Sequence, residues 1–185
     1  MKTIIQFFEE CVANYGNNPF LWEKKTDTFE PTTYRQTNEQ VQRLAAGLLR
    51  LGVTRGDKIA LLSEGRNDWI TGELAILHTG AVNVPLSIKL AESNDLIFRL
   101  QHSESKYIMT SGGQLAKVRA ITASLPLLAK VIVMDEQKEY QANEISLTEL
   151  CKMGDAYLQE APDAVHQISS QITGSDYANI SYTSG

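Results

Sequence analysis

The chain has 185 residues, of which 43% are hydrophobic, 21% charged and 8% aromatic, and its formal net charge is -5. This length can bury one sizeable core, roughly 70% of the unfolded surface, and the composition excludes a disordered chain. A negative balance with no block of Lys and Arg sets nucleic acid aside as a partner, and the longest apolar runs, Leu74 to Leu77 and Val131 to Met134, fall far short of the roughly 20 residues of a membrane span.

The opening MKTIIQFFEE starts like a secretory signal, but Glu9 and Glu10 end the apolar region too soon, so it reads as a mature cytosolic start. Spacing predicts a helix over Thr3 to Asn14 with Ile4, Phe7, Phe8, Cys11 and Val12 on one face, closed by Tyr15-Gly16. Leu21 to Glu23 and Thr28 to Thr32 read as two short strands around the polar turn Lys24 to Asp27. Thr33-Tyr34-Arg35-Gln36 is a capping box, and the helix it opens carries Val41, Leu44, Ala45, Leu48 and Leu51, with Gly52 at its C-terminal cap.

From Gly56 the rhythm becomes strand, loop, helix. Expected strands are Lys58 to Ser63, Ala81 to Pro85, Tyr107 to Thr110 and Lys130 to Met134; expected helices are Asp68 to Leu77, Ser93 to His102 and Gln114 to Leu125. Glu144 to Met153 reads as a short helix starting near Ser146, Pro162 to Thr173 as a connector, and Tyr177 to Tyr182 as a last strand returning to the sheet. Such alternation predicts an α/β fold, a mostly parallel sheet with helices on both faces. Ligands then sit beyond the carboxyl ends of the strands.

Most residues with chemical potential have a bland reading. No G-x-G-x-x-G, Walker-type loop or nucleophile elbow is present. His78, His102 and His166 are scattered near helix ends or connectors and read as solvated or dipole-complementing residues. Cys11 and Cys151, without His or Cys neighbours at ligand spacing, read as buried thiols rather than metal ligands or a disulfide, and no metal site is expected. Asp135 reads as a turn residue. Thr183-Ser184-Gly185 stands out because hydroxyls and a glycine follow a strand, the context of an anion-binding nest. No residue is assigned a catalytic role.

The terminal YTSG resembles the opening of the phosphate loop of the AMP-forming adenylating enzymes, the superfamily of acyl-CoA synthetases, luciferases and peptide-synthetase adenylation domains. Upstream segments agree in order and spacing. PTTYRQTNEQVQRLAAGLLRLGVTRGDKIALLS (Pro31 to Ser63) is similar to the family's approach to its first sheet, SEGRNDWITGELAILHTGAVNVPL (Ser63 to Leu86) to its next strand and helix, and RLQHSESKYIMTS (Arg99 to Ser111) and KVIVMD (Lys130 to Asp135) to the two units after that. Gly65-Arg66-Asn67-Asp68-Trp69 stands where the family has Asn-Arg-Pro-Glu-Trp, shifted by one residue when the Trp is aligned, so no role passes to Arg66.

The resemblance implies that residues 1–185 are the N-terminal subdomain of an AMP-binding domain of the acetyl-CoA synthetase-like fold, ending within the phosphate loop. It implies a ligase that joins a carboxylate to ATP, giving an acyl-adenylate and pyrophosphate, and then passes the acyl group to coenzyme A. A long-chain fatty acid is the expected substrate, with ATP, Mg2+ and coenzyme A as cofactors of the longer parent. Thr183, Ser184 and Gly185 inherit ATP phosphate binding. The expected location is cytoplasmic, with peripheral membrane association left open, and the chain by itself is expected to be inactive and to self-associate. Another carboxylate-adenylating enzyme, or a non-catalytic α/β binding module, is the alternative; a reading frame continuing past Gly185 with Thr, Gly and Pro-Lys-Gly separates enzyme from module.

Overall fold

The computed structural model describes residues 2–90 and 92–183. Helix α1, Ile4–Tyr15, starts at a capping box in which Gln6 N donates to Thr3 Oγ1 (3.2 Å) and Thr3 N donates to Gln6 Oε1 (3.0 Å). Its inward face matches the expected one at Phe8 and Val12 and departs from it at the start of the helix. Ile5 and Phe8 are buried, whereas Ile4 and Phe7 are 54% and 64% exposed. Phe8 is the position that fixes the rotation, because it packs on Phe20 and edge-on to His78.

Strands β1 (Pro19–Lys25) and β2 (Thr28–Thr33) form an antiparallel hairpin closed by Thr26 and Asp27, with Thr26 at φ 53°. Helix α2, Tyr34–Arg50, follows on the predicted box: Gln36 N donates to Thr33 Oγ1 (3.2 Å) and Thr33 N to Gln36 Oε1 (2.9 Å). Thr33→Ala is expected to lose about 1 kcal/mol. That is a fall of about 2–4 °C in Tm for a chain of this size, measurable by thermal circular dichroism. The helix ends in a Schellman turn, where Gly52, at φ 93°, donates to Leu49 O and Val53 N donates to Leu48 O, both 3.0 Å. Val53 and Leu48 are both buried in the core beneath this turn.

The main sheet has five parallel strands: β3 (Lys58–Leu62), β4 (Val82–Pro85), β5 (Ser105–Thr110), β6 (Lys130–Val133) and β7 (Glu144–Ser146), in the order β4-β3-β5-β6-β7. Because both faces are covered, the strands are apolar along their length rather than alternating. Ile59, Leu61, Met109 and Ile132 pack toward α2 and toward α3 (Asn67–His78). Ala60, Leu62, Ile108, Val131 and Val133 pack toward α4 (Ser93–His102) and α5 (Gly112–Ile121). Right-handed crossovers put connections running in opposite directions along a sheet on opposite faces. Accordingly α3, which carries the chain from β3 out to β4, lies on one face, and α4 and α5, which carry it back past β3, lie on the other.

Three stretches depart from expectation. The segment read as a helix from Glu144 begins with β7, which pairs with β6, and only then becomes α6, Leu147–Glu160, capped by Ser146 Oγ accepting from Glu149 N (3.0 Å). The connector contains α7, Ala164–Ser169, whose Val165 joins the core. The helix expected to reach Leu125 stops at Ile121 and tightens into a 3-10 turn, Thr122–Ser124. Cys11 and Cys151 are free and half-buried rather than fully buried. No helix among the described residues is long and apolar enough to cross a membrane.

Candidate functional site at the carboxyl edge of the sheet

Residues 177–182 were expected to form a strand running into Thr183. The structure makes them an extended segment along the outer side of β4, joined by one parallel bridge, Asn83 to Asn179. Asn83 N donates to Ala178 O (3.0 Å) and Ile180 N to Asn83 O (2.9 Å), while the buried Asn83 side chain is held by Glu73 on α3 (Nδ2 to Oε1, 2.9 Å). Running parallel to β4, the segment delivers its end to the carboxyl edge. Tyr182 fastens it there.

The Tyr182 hydroxyl donates to Arg99 O (3.1 Å), which leaves its oxygen to accept from His102 Nδ1 (2.9 Å). The His102 ring meets the Tyr182 ring edge-on at 5.8 Å and the Arg99 guanidinium lies over it at 5.8 Å. Sequence reasoning took His102 for a solvated helix-end residue; it is exposed, and it holds the residue before Thr183. Thr183 is exposed beyond this contact, and Ser184 and Gly185 lie outside the described residues.

Beside Tyr182 a groove of about 320 Å3 opens at the end of β4, lined by Leu86, Ser87, Lys89, Leu90 and Arg99. Two of these side chains are cationic. The groove floor is braced, since Lys117 on α5 donates to Ile88 O (2.8 Å) and Leu90 O (3.4 Å). A strand end, a hydroxyl and two cations at one edge make an environment suited to phosphate oxygens.

A second polar cluster occupies the same edge above β3, β5 and β6. Arg66 joins Asp135 (2.7 Å) and Asp68 (2.8 Å), and Asp135 Oδ2 accepts from Gly112 N (2.6 Å) at the start of α5. Gln114 Nε2 donates to Glu64 Oε1 (2.5 Å). Burial raises the Asp135 pKa, but the Gly112 amide and the Arg66 guanidinium outweigh it and leave the carboxyl below its ordinary range. The Ser111 hydroxyl, close to Glu64 but without a well-aligned hydrogen bond, and the Gln114 amide likewise hold the Glu64 carboxyl low. Asp68 moves the other way, raised by burial against the pull of Arg66. These carboxylates are already partnered, so the cluster ties three strand ends together. Asp135, read as a turn residue, lies in the bend after β6 and accepts from the first amide of α5, whose N-cap residue is Ser111.

His78 also departs from its sequence reading. It is fully buried, with Nδ1 2.7 Å from Leu74 O and Nε2 3.9 Å from Glu9. Its environment is core. His166 is exposed as expected. An apolar cavity of about 180 Å3 bounded by Ile5, Leu77, Ile172 and Ala178 lies at the amino end of β4, away from Thr183.

The sequence profile described as AMP-binding enzyme matches residues 8–185. The chain belongs to this family. It is 28% identical over 187 residues to a long-chain-fatty-acid–CoA ligase of Xenopus laevis, covering 99% of this chain and 24% of that protein. It is 33% identical over 150 residues to surfactin synthase subunit 1 of Bacillus subtilis, covering 79% of this chain and 4% of that protein. The chain therefore spans about a quarter or less of the length of these relatives. Among solved structures, the inhibitor-bound N-terminal domain of FACL13 from Mycobacterium tuberculosis aligns with a TM-score of 0.77 at 24% identity, covering all of this chain and 42% of that one. Coronafacic acid ligase of Pectobacterium brasiliense aligns with a TM-score of 0.72 at 22% identity, covering 80% and 29%. At these identities the structural matches establish the α/β fold with its parallel sheet.

Proposed function

We propose that this chain is the N-terminal part of an ATP-dependent, AMP-forming long-chain fatty acid–CoA ligase, and that its residues 183–185 open the loop that holds the ATP phosphates. The observation that supports the reading is that Tyr182, the residue before Thr183, lines the groove at the carboxyl edge together with Lys89 and Arg99. Attack of a carboxylate oxygen on the α-phosphorus of ATP forms the acyl–phosphate bond and releases pyrophosphate. A thiol then takes the acyl group and AMP leaves. Hydroxyl and amide donors at residues 183–185 would bind the phosphate oxygens, and the two groove cations would lower the potential that opposes charge building on the leaving pyrophosphate. Mg2+ bound to the nucleotide would supply further charge neutralisation. Among the described residues no cluster of three or more His, Cys, Asp or Glu is shaped to hold a metal, so no step is assigned to metal held by this chain.

The matches to long-chain ligases over nearly the whole chain support the fatty acid, and the 33% match to a peptide synthetase subunit supports an amino acid as the second reading. The test is ATP–pyrophosphate exchange with the protein extended past Gly185, offered fatty acids of graded length, aryl acids and amino acids. Exchange that peaks with long-chain acids is the expected result, and a peak elsewhere reassigns the substrate. No exchange with any acid would favour a binding module. The 185-residue chain alone is expected to give no exchange above background.

A further inference from the structure

The approach to Thr183 is weakly bonded. Between residue 177 and the end of the described chain, the segment has one bridge and two backbone hydrogen bonds to β4, so backbone pairing contributes little to its register. A slip of one residue would turn Ile180 and Tyr182, which pack on the α4 and α5 face, toward solvent and place Asn179 and Ser181 inward. Tyr182, bonded to Arg99 O and His102, holds the carboxyl end of this frame, and the start of the segment needs a hold of its own.

That hold lies at the amino edge. Arg55, in the loop before β3, grips Asp176 through Nε and Nη2 at 2.6–2.8 Å, meeting both carboxylate oxygens. Asp176 Oδ2 also accepts from Thr173 N (2.8 Å) and Thr173 Oγ1 (3.1 Å), so the carboxylate fixes the turn that starts the segment. The arginine stem crosses Gly80, which has φ +73° and where a Cβ would lie 3.0 Å from Arg55 Cγ; a side chain there would displace the guanidinium. A two-pronged guanidinium–carboxylate pair fixes orientation as well as distance, which a lysine does not.

We propose that Arg55 and Asp176 are positioning residues: their ion pair sets the register of segment 177–183 on β4 and thereby places Thr183 at the carboxyl edge, seven residues or about 23 Å away along an extended chain. The proposal rests on the reading that Thr183 opens a phosphate loop. The clamp itself does not depend on that reading.

Two measurements on wild type, Arg55→Ala, Arg55→Lys and Asp176→Asn separate these points. In the 185-residue chain, hydrogen exchange at the Ile180 amide is expected to accelerate about tenfold or more in Arg55→Ala and Asp176→Asn, and less in Arg55→Lys, while the amides of Leu61 and Met109 keep their protection. In the protein extended past Gly185, the KM for ATP is expected to rise about tenfold with the KM for the acid unchanged, and Arg55→Lys to recover part of the loss. Unaltered exchange at Ile180 overturns the clamp. Faster exchange with an unaltered KM for ATP overturns the positioning role. A wild-type protein that uses no ATP overturns the functional reading and the positioning role together, and leaves the exchange data to decide the clamp.

Discussion

Gly154→Ala is expected to lower stability by about 3 kcal/mol even though the exchange favours the helix, because the added methyl has nowhere to go. In an exposed helix alanine would gain about 1 kcal/mol over glycine. Here a Cβ on Gly154 would fall against the Arg43 carbonyl oxygen and 2.9 Å from Gly47 N, so the obstacle is backbone on the facing helix α2 rather than a side chain able to swing away. Gly47 has the reciprocal constraint, its Cβ meeting the Leu150 carbonyl and the Leu150 side chain. Packing wins over propensity. The expected fall in Tm is about 6–12 °C by calorimetry. Gly65→Ala, where a Cβ meets nothing within 4 Å, is the control and should leave Tm nearly unchanged. A Gly154→Ala protein as stable as wild type would falsify the close α2–α6 packing.

Acid is expected to destabilise the protein in two stages. Burial drives the His78 pKa below its ordinary value, opposed by the Leu74 carbonyl and by Glu9, the charged group facing it from α1. The folded state therefore keeps the ring neutral at pH values where the unfolded chain takes up a proton. Stability from this group is complete above the unfolded pKa of about 6.5 and is lost as the pH falls from there toward the folded pKa.

The second stage belongs to carboxylates. Arg119 grips Glu144 at 2.7 Å through two nitrogens and, with the Gln141 amide, holds it low despite burial. Burial raises the Asp57 pKa, but Lys106 and Thr54 outweigh it, and Asp135 behaves likewise. These groups are depressed, so their stabilisation is present above the ordinary carboxylate range near 4 and lost as the pH falls through the folded values. Asp68, raised by burial, works against this trend. Urea midpoints between pH 7 and 3 should show both stages, and His78→Gln should flatten the first while leaving the second. A midpoint that does not change between pH 7 and 5 would refute the buried neutral ring.

What the sequence revealed divides along a physical line. The Thr33 box, the apolar run of β3 and the helix Ser93 to His102 are set by neighbours within a few residues, and they stand where the pattern placed them. The strand β7 is three residues long and acquires its identity only by pairing with β6, so it merged with the helix behind it. The start of the α1 face was misjudged because Ile4, Ile5, Phe7 and Phe8 offer two apolar stripes, and the packing of Phe8 on Phe20 decides between them. At the candidate site the expected strand Tyr177 to Tyr182 is an extended segment with a single bridge to β4, and Ser184 and Gly185 lie outside the described residues. The partners that place the segment were not legible: Arg55 and Asp176 are 121 positions apart, as Arg66 and Asp135 are 69 apart, and nothing local in either member announces the other.

The strand order carries a consequence for biosynthesis. The first strand of the sheet to leave a ribosome, β3, ends with a neighbour on each side, and β4, β5, β6 and β7 each join a margin that is still open when they emerge, as does the segment at 177–183 on the far side of β4. Among the described residues, no later strand has to wedge itself between neighbours that are already paired. The sheet can thus grow outward in both directions as the chain lengthens, each addition sheltering a margin that would otherwise attract a neighbouring nascent chain.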